Sequence, residues 1–475
     1  MLWLSLYFPA LPLDVFTRGA AEHGPMAVYE IQAQRSRIIL CNAAAKASGI
    51  TPGMASSAAS ALCAELKLFQ RNQQAEEQTL REIAVWAGQF TPNVSLLFPA
   101  VLLLEIEGSL AYFGGLPALL RRLRHAGAEL GLALRIGVAP TPLGSALFAR
   151  HRQPPLTHRD EFRRVLQALP LAALDLPADA LTGLRQLGLR LIGECLNLPR
   201  AGLIRRFGPQ LPDYFDRLLG DQPDPRPPFI APPEFHARLE LPSEVDDKEA
   251  LLFAANRLIQ QLAGFLAART AATQQPVFRL HGPRGVCELA VRLISPNRNA
   301  AHFLRLLRER LEHTELSEPV RAISLTVTDI QPLARSSHAL FSEAAQNPVQ
   351  AIEPLLERLT ARLGTSSVQG LGTRADHRPE QASRAVAPAS TSTSRKLPPR
   401  PLWLLPAPQI LTMQDDATYF NGSLQLLRGP ERIESGWWDQ DLTRDYYVAK
   451  KSDGARLWVF RERKSGLWYW HGVFA

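Results

Sequence analysis

Glu105 and Glu107 are the paired carboxylates of this sequence that could hold a divalent cation. They close the apolar run 101–107, which the pattern predicts as a strand. Alternate residues of a strand lie on one side, so the two carboxylates would be about 6–7 Å apart at a rise of about 3.3 Å per residue. A hard cation would also need a third acidic ligand, and Asp14, the only acid among the first eighteen residues, lies beyond the first predicted strand. We therefore expect a solvated strand end, with no metal and no cofactor bound.

Other catalytic patterns do not occur in recognisable form. The sequence has no Gly-rich phosphate loop of the Lys-Ser/Thr type and no Ser-His-Asp or Cys-His pattern with a known local context. The four cysteines, Cys41, Cys63, Cys195 and Cys287, are far apart and match no zinc or disulfide spacing. We expect them to be buried thiols that behave as small hydrophobic side chains.

The two carboxylates belong to a predicted strand–helix–strand–helix unit, Val101–Arg150, around which the chain is organised. Its first apolar run is followed by a helical pattern over 116–130, a second apolar run over 132–139, and a further helix after Pro140-Thr141-Pro142. Such a unit buries its strands under its helices, so functional side chains are expected at strand ends and turns. A buried strand at 2–8, a hairpin at 27–40, Ala-rich helices at 43–64 and an amphipathic helix at 75–90 are predicted before it.

Length and composition indicate a globular protein of several domains. The 475 residues are 46% hydrophobic, which suits roughly three or four domains of about 100–200 residues each. No apolar run reaches the length of about 18–20 residues that spans a bilayer, and no signal peptide is recognisable, so we expect a soluble, cytoplasmic protein. The net charge of +8 suits a polyanionic partner, although a basic surface without a partner would give the same balance.

Two basic regions are candidates for DNA binding. Short helices with Gly and Pro turns over 160–220 expose N-terminal amides, as in helix-hairpin-helix proteins that bind the DNA backbone. The arginines of this region are Arg185, Arg190, Arg200, Arg205 and Arg206. A small helical domain with solvated arginines is the alternative.

The second region has the order β-α-β-β-α-β, which predicts a four-stranded sheet with both helices on one face. The strands are 235–241, 277–281, 287–293 and 323–328, and the helices are 246–269 and 300–311. The predicted apolar face contains Phe235, Leu239, Phe278, Leu280, Leu289, Val291, Ile323, Leu325 and Val327, and the polar face contains His236, Arg238, Arg279, His281, Arg292, Ser324, Thr326 and Thr328. Few aromatic residues lie on the polar face, so contacts to a duplex backbone fit it better than base stacking. A merely hydrated face is the alternative.

The C-terminal part changes in composition. A last helix is predicted at 348–363, and the Ser-, Thr-, Pro- and Ala-rich stretch 370–401 predicts a disordered linker. Six of the eight tryptophans follow, namely Trp403, Trp437, Trp438, Trp458, Trp468 and Trp470, among short strands. These tryptophans could form a core or a docking face for a partner, and the sequence does not show which of them has which role.

The order of these elements resembles the palm, fingers, thumb and little finger of the Y-family, or lesion-bypass, DNA polymerases. Three motifs carry the resemblance, which covers about residues 1–340. The segment Asn42–Met54 ends in Lys-Ala-x-Gly-Ile-x-x-Gly-Met like the family's fingers motif, Leu104-Glu105-Ile106 resembles the end of its palm acidic motif, and Arg135–Ala139 resembles the strand before its lysine.

The resemblance also shows where the family's catalytic residues would fall. The metal-binding carboxylates fall on Ser5, Ala100 and Val101, the aromatic sugar gate falls on Ala10, and the Tyr, Arg and Lys that hold the triphosphate fall on Ala43, Lys46 and Pro142. Two-metal phosphoryl transfer needs carboxylates for Mg²⁺ and cations for the triphosphate. Serine, alanine and valine cannot hold two hard dications against water. The resemblance therefore implies a polymerase body without the catalytic residues.

This combination resembles the ImuB proteins, the polymerase-like members of bacterial mutagenesis cassettes. Segments that resemble their C-terminal signatures are 376–380, 400–404, 429–438, 444–447 and 470–474. The resemblance implies a nucleoid-associated adaptor, induced by DNA damage, that binds primer-template DNA, the sliding clamp, a RecA-like accessory protein and an error-prone C-family polymerase. Clamp peptides of such proteins resemble Gln-x-x-Leu-Phe; here Leu340 and Phe341 are retained without the glutamine, so an apolar anchor for the neighbouring helix is the alternative.

We therefore predict an α+β multidomain protein. The predicted ranges are 1–165 for a palm with fingers inserted at about 11–77, 166–230 for a helix-hairpin-helix thumb, 234–335 for a βαββαβ little finger, 336–401 for a helix and disordered linker, and 402–475 for the Trp-rich module. The first functional hypothesis is a non-catalytic DNA-binding scaffold for translesion synthesis. The alternatives are a weak nucleotidyltransferase that uses Glu105 or Glu107 with a rearranged metal, and a DNA-binding repair factor with no link to the clamp.

Overall fold

The computed structural model describes residues 1–19, 24–32, 34–333, 348–388, 399–414, 417–419, 424–439 and 441–474. The chain divides into two compact units, Met1–Ala345 and Gln346–Ala475. The first unit contains the elements that correspond to the predicted palm, fingers, thumb and little finger. The second contains the tryptophan-rich strands.

The palm-like and fingers-like parts come first in the chain. Their elements are β1 (Trp3–Tyr7), α1 (Leu11–Thr17), β2 (Met26–Gln32), β3 (Arg35–Cys41), α2 (Ala43–Ala47), α3 (Ser56–Leu62), β4 (Lys67–Gln70), α4 (Gln73–Ala87), β5 (Val94–Leu97), β6 (Val101–Glu105), α5 (Leu110–Phe113), α6 (Leu116–Glu129), β7 (Arg135–Ala139) and α7 (Pro142–His151). The fingers-like part is the three-stranded sheet β3-β2-β4 with the short helices α2 and α3. Asn42 begins α2 by accepting the N–H of Ala45, which is the usual role of an N-cap asparagine.

The palm-like sheet has the strand order β5-β6-β1-β7, and its neighbouring strands are antiparallel. One face carries Leu4 and Leu6 of β1 with Leu102 and Leu104 of β6, all fully buried in the core that α4 and α6 also line. Each such leucine contributes about 1.5–3 kcal/mol on burial. The opposite face carries Ser5, and helix α7 covers it. Gly137 of β7 permits this packing, since an added Cβ would lie 2.2 Å from the backbone nitrogen of Ala149.

The thumb-like part is a group of short helices. They are α8 (Arg159–Gln167), α9 (Ala178–Gln186), α10 (Ile192–Leu196), α11 (Arg200–Phe207) and α12 (Gln210–Leu219). Their apolar side chains share a core with Leu147 and Phe148 of α7. Helices α9 and α10 are joined by a turn at Gly188, whose φ of +84° is a conformation that glycine adopts readily.

The little-finger-like part confirms the predicted β-α-β-β-α-β order. It contains β8 (Phe235–Val245), α13 (Lys248–Ala268), the short β9 (Ala271–Ala272), β10 (Val277–His281), β11 (Val286–Ala290), α14 (Ala300–Glu312), β12 (Val320–Val327) and the short β13 (Gln331–Pro332). The main sheet has the order β11-β10-β12-β8. Every residue of the predicted apolar face is buried. Helix α13 packs on α4, and an added Cβ at Gly264 would lie 2.6 Å from the side chain of Trp86.

The second unit is mainly strands. Its elements are α15 (Pro348–Leu363), β14 (Gly370–Thr373), β15 (Ser383–Val386), β16 (Trp403–Ile410), β17 (Thr412–Gln414), β18 (Ala417–Tyr419), β19 (Gln425–Ser435), β20 (Leu442–Lys450), β21 (Arg456–Glu462) and β22 (Trp468–Phe474). The largest sheet has the order β16-β22-β21-β20-β19, which confirms a strand-rich C-terminal module.

The prediction of a disordered linker over 370–401 is wrong for residues 370–388. There β14 pairs with β15, and the side chain of Glu380 accepts a hydrogen bond from Arg444 Nη1 of β20 at 3.1 Å. These long-range contacts order a stretch whose composition alone favours disorder. Residues 389–398 of the predicted linker lie outside the described part of the chain.

One helix in the described part of the chain, Lys248–Ala268, is long and apolar enough to cross a membrane by length and composition. Of its most apolar window, 67% is buried within the protein. In this structure α13 is a core helix of the little-finger-like part.

Candidate nucleic-acid interface and polymerase-like site

Ser5 occupies the position that the resemblance assigns to the first metal-binding carboxylate, and it is completely buried. It lies in the middle of β1, directly opposite Leu103 of β6 and Gly137 of β7. Its Oγ is 2.6 Å from Ser145 Oγ on α7, and the hydroxyl of Ser145 donates to the carbonyl of Pro142. Since a serine hydroxyl has only one proton to donate, Ser5 is the donor to Ser145. The side chain therefore fastens the strand to the covering helix.

Ala100 and Val101 lie at the start of β6, beside the end of β1. The amide of Phe8 donates to the carbonyl of Ala100 at 2.9 Å, and Tyr7 pairs directly with Val101. Val101 is buried with Leu103 and packs against Tyr7. In the described part of the chain no group of three or more His, Cys, Asp and Glu side chains is placed to hold a metal ion. The residues at these positions do not fit a pair of Mg²⁺ ions, which require oxygen ligands.

Glu105 and Glu107 do not form the carboxylate pair that the strand pattern predicts. Strand β6 ends at Glu105, and Glu107 begins a 3-10 helix, Glu107–Ser109. The side chain of Glu105 accepts the backbone N–H of Glu107 at 3.1 Å, and Glu107 pairs with the amino group of Met1 at 2.8 Å. Each carboxylate thus has a protein partner, and the arrangement does not favour the rearranged metal site of the alternative hypothesis.

The two glutamates line a large cleft of about 1230 Å³ in the first unit. Other charged residues on its wall are Arg159, Arg217, Arg226, Asp221 and Asp224. Arg226 donates to Asp224 at 3.1 Å, and Asp221 pairs with Arg163. Most of the charges on this wall are therefore compensated by near neighbours.

The positions assigned to the triphosphate contacts lie on two separate elements. Ala43 and Lys46 belong to α2 of the fingers-like part, and Pro142 is the first residue of α7. Ala10, at the sugar-gate position, is the residue before α1. Lys46 is the only one of these four that offers a cation for a triphosphate.

Asp14 lies in a buried charge cluster between the palm-like and little-finger-like parts. Its carboxylate lies near the backbone N–H of Ala133 and interacts electrostatically with Arg18, which directly follows α1, and with Arg257 of α13. Burial raises the pKa of Asp14 to about 6 and lowers that of Arg257 to about 10. Arg18 also lies 3.6 Å from Glu82 of α4. Asp14 is therefore a structural residue of this contact and not a ligand beside Ser5.

The thumb-like arginines differ in how free they are to contact DNA. Arg200 pairs with Asp213 and Asp216 of α12, so its charge is already compensated. The side chains of Arg185, Arg190, Arg205 and Arg206 have no ion pair among the described residues and are mostly exposed. Arg185 and Arg190 flank the turn at Gly188, and Arg205 and Arg206 lie in the last turn of α11. Their role in DNA binding stays a prediction.

The polar face of the little-finger-like sheet contains two acids that the sequence analysis missed. Glu240 of β8 accepts from Arg238 Nε at 2.8 Å, and Glu288 of β11 accepts from Arg279 Nε at 3.0 Å. The face is therefore less positive than predicted. Arg292 was predicted within the strand 287–293, but β11 ends at Ala290, so Arg292 follows the strand; it has no ion pair among the described residues. Both acids lie inside the predicted strands 235–241 and 287–293, so the alternating pattern alone already places them on the polar face.

Further hydrogen bonds link the polar groups of the same face. His281 lies 2.8 Å from Ser324 Oγ, and His236 lies 3.1 Å from Thr326 Oγ1. The pKa of His281 is lowered by burial and by nearby arginines, so the ring is neutral at pH 7. The predicted clamp residues Leu340 and Phe341 lie outside the described residues.

The tryptophans of the second unit divide into a core set and an exposed set. Trp458 is buried, with its ring stacked 4.1 Å from Tyr446, and Trp468 and Trp470 pack on the adjacent core. Trp403, Trp437 and Trp438 are mostly exposed. Trp437 and Trp438 are 80% and 61% exposed and contact each other edge to face. The core role therefore applies to Trp458, Trp468 and Trp470, and a docking role of the three exposed tryptophans stays a prediction.

Comparisons with known proteins find similar chains. Residues 17–150 match the impB/mucB/samB (IMS) family. The chain is 28% identical over 466 residues to Protein ImuB of Caulobacter vibrioides (strain NA1000 / CB15N), which covers 90% of this chain and 100% of that protein. It is 27% identical over 204 residues to DNA polymerase IV of Pseudomonas entomophila (strain L48), across 41% of this chain and 56% of that protein.

The solved structures that align over 70% of this chain include the following two. The crystal structure of DinB from Sulfolobus solfataricus is 13% identical with a TM-score of 0.40 and is covered over its full length. The insertion ternary complex of Dbh DNA polymerase is 13% identical with a TM-score of 0.41 and is covered over 99% of its length.

The palm-like sheet, the fingers-like insertion and the match over residues 17–150 define a protein related to the Y-family. The small helical part and the βαββαβ part follow in the order that the resemblance implies. Similarity to ImuB over nine-tenths of the chain then identifies it as an ImuB-like protein. The recognition made from the sequence motifs is confirmed.

Proposed function

We propose that this chain is a non-catalytic, polymerase-like adaptor that binds DNA in damage-induced translesion synthesis. The similarities to ImuB and to the impB/mucB/samB family support a Y-family-like role in damage tolerance. In the proposed role the chain links the sliding clamp, a RecA-like accessory protein and an error-prone C-family polymerase, in the cytoplasm at the nucleoid. The C-family polymerase performs the synthesis.

One observation carries the non-catalytic part of the proposal. The first carboxylate position is a fully buried serine, bound to the helix that covers it. A metal ligand must instead face a space that admits hydrated Mg²⁺ and the triphosphate. Ala100 and Val101 supply no ligand to replace it. The Lewis-acid chemistry of a two-metal polymerase therefore has no ligand set at these positions.

DNA binding is supported by exposed arginines on two parts of the first unit that have no ion pair among the described residues. They can contact phosphates, and they are Arg185, Arg190, Arg205 and Arg206 on the thumb-like helices and Arg292 on the little-finger-like part. Phosphate contacts release counterions, so the logarithm of affinity should fall linearly with the logarithm of salt concentration. We expect this steep dependence for the full chain on primer-template DNA, measured by fluorescence anisotropy. Binding that does not change with salt would contradict the proposed interface.

Partner binding is supported by the exposed aromatic residues of the second unit. Exposed tryptophans are typical anchors of protein interfaces. Replacing both Trp437 and Trp438 by alanine in the full chain should reduce pull-down of the C-family polymerase or the RecA-like protein. Leu371, which is also exposed in this unit, offers a control through Leu371→Ala. Clamp binding is tested separately by Leu340→Ala with Phe341→Ala, and unchanged clamp affinity would refute that assignment.

A further inference from the structure

An arginine–tyrosine cluster lies next to Val101, one of the positions to which the resemblance assigns a metal-binding carboxylate. Tyr7 is the last residue of β1. It pairs with Val101 of β6 on one side and with Arg135 of β7 on the other. The guanidinium carbons of Arg135 and Arg150 lie 5.9 and 6.0 Å from the centre of the Tyr7 ring. All three side chains are half-buried. Arg135 comes from β7 and Arg150 from α7, so two separate elements bring positive charge to the same ring.

The two guanidinium groups have few partners within the protein. Arg135 donates through Nη1 to the carbonyl of Arg150 at 3.1 Å, and Arg150 donates through Nη1 to Asp175 at 2.9 Å. A guanidinium carries several N–H donors in a fixed fork, and its remaining nitrogens have no acceptor among the described residues. Asp175, the acid that pairs with the cluster, is 68% exposed. The cluster therefore keeps a net positive charge and unused donors at a half-buried position.

Donors of this kind match a phosphate group. The guanidinium fork binds two oxygens of one phosphate at once, and partial burial strengthens the attraction relative to a fully exposed charge. The Tyr7 ring holds the guanidinium planes through cation–π contact and limits their movement. A metal-dependent polymerase uses divalent ions for the same electrostatic purpose.

We propose that Arg135, Arg150 and Tyr7 form a metal-independent binding site for a phosphate group, next to a position to which the resemblance assigns a metal-binding carboxylate. The site deepens the proposed function, because it would hold DNA in a polymerase-like position without permitting synthesis. The phosphate could come from the DNA backbone or from a free nucleoside triphosphate, which share this chemistry. The position of the cluster, beside Ala100 and Val101, is what separates it from the arginines of the thumb-like and little-finger-like parts.

The test measures binding by the full chain in EDTA, with labelled primer-template DNA in one arm and a labelled nucleoside triphosphate in the other. Arg135→Ala should weaken binding of the true ligand, either the DNA or the nucleoside triphosphate, by about tenfold. This is the effect expected from losing one charge-assisted hydrogen bond. The matched control is Arg124→Ala, which removes the same charge from an exposed position on α6. Since α6 covers the opposite face of the sheet, the control should change affinity by less than about twofold.

Two further variants separate binding from stability. Arg150→Lys keeps a cation for Asp175 but loses the fork, so it should weaken binding by about three- to tenfold. Arg135→Lys keeps the positive charge but loses the fork, so it should retain the salt dependence of binding and lose most of the affinity for the phosphate ligand. Arg135→Ala removes the charge, so the slope of the logarithm of affinity against the logarithm of salt concentration should fall in magnitude by about one. Thermal unfolding of each variant shows whether a loss of binding reflects a loss of structure.

The outcomes are distinguishable from those of the proposed function. If the wild-type chain binds DNA but Arg135→Ala and Arg150→Lys behave like Arg124→Ala in both arms, the cluster only fastens β7 to α7 and the inference is overturned. Binding that requires Mg²⁺ and vanishes in EDTA also overturns it. If the wild-type chain binds no DNA, the proposed function fails, and the cluster is then judged by the nucleotide arm alone.

Discussion

Restoring a carboxylate at Ser5 should destabilise the protein instead of reviving a metal site. Ser5 is fully buried, and its only side-chain hydrogen bond within the described structure is with Ser145. In Ser5→Asp the new carboxylate would face a hydroxyl that already donates to the carbonyl of Pro142. A buried charge without a partner costs several kcal/mol even after the structure relaxes.

We expect Ser5→Asp to lower the free energy of unfolding by about 3–5 kcal/mol at pH 7. Ser5→Asn is the matched control, because asparagine has nearly the volume of aspartate without the charge. The control should cost about 1–3 kcal/mol from overpacking alone. Burial raises the pKa of an introduced carboxyl, so its penalty is present at neutral pH and disappears as the pH falls below about 4.

The assay is urea unfolding of both variants at pH 4 and pH 7, with and without Mg²⁺. The expected result is a gap between Ser5→Asp and Ser5→Asn that narrows at low pH and does not respond to Mg²⁺. Equal stability of the two variants at pH 7 would show that Ser5 is accessible to water or to ions. Stabilisation of Ser5→Asp alone by Mg²⁺ would contradict this expectation, since it would mean that a metal site forms under α7.

The remaining predictions concern packing, pH and the exposed tryptophans. Gly137→Ala should destabilise the first unit by about 3 kcal/mol or more, because the added Cβ would lie 2.2 Å from the Ala149 nitrogen. An unchanged free energy of unfolding in urea would contradict this close contact. Burial raises the pKa of Asp14 from 3.8 to about 6, so the folded state holds a proton that the unfolded state releases, and stability declines as the pH rises from about 4 to about 6. As the pH rises from about 4 to about 6, the free energy of unfolding of Asp14→Asn should therefore increase by up to about 3 kcal/mol relative to that of wild type. A difference between the two proteins that does not change with pH would contradict the burial of Asp14. Trp437→Ala with Trp438→Ala should leave thermal unfolding within about 0.5 kcal/mol while reducing partner capture, and a large loss of stability would place the two rings in the core.

The sequence predicted most of the fold because its periodic patterns are strong. Alternation in the little-finger-like strands identified both faces of the sheet, and every predicted apolar residue is buried. The helical spacing of Leu80, Ile83 and Ala84 placed α4 correctly. These features depend on local periodicity, which a single sequence contains in full.

Features that depend on contacts between distant segments could not be predicted in this way. Ser5 and Ser145 are 140 residues apart, and their hydrogen bond follows from the packing of α7 on the sheet. The end of β6 was misplaced because Ile106 adopts a turn conformation, although its residue type suits a strand. The ion pair of Arg279 with Glu288 depends on strand register, and the order of residues 370–388 depends on contacts such as that between Glu380 and Arg444.

The central claim is that this polymerase-like chain binds DNA without extending it. The most direct test is primer extension by the purified full chain with Mg²⁺ or Mn²⁺, at protein concentrations that saturate the primer-template in an anisotropy titration. We expect full occupancy of the DNA with no nucleotide incorporated. Incorporation that is retained in wild type and abolished by Glu105→Ala would contradict it, because it would show that a carboxylate of this chain serves a working metal site.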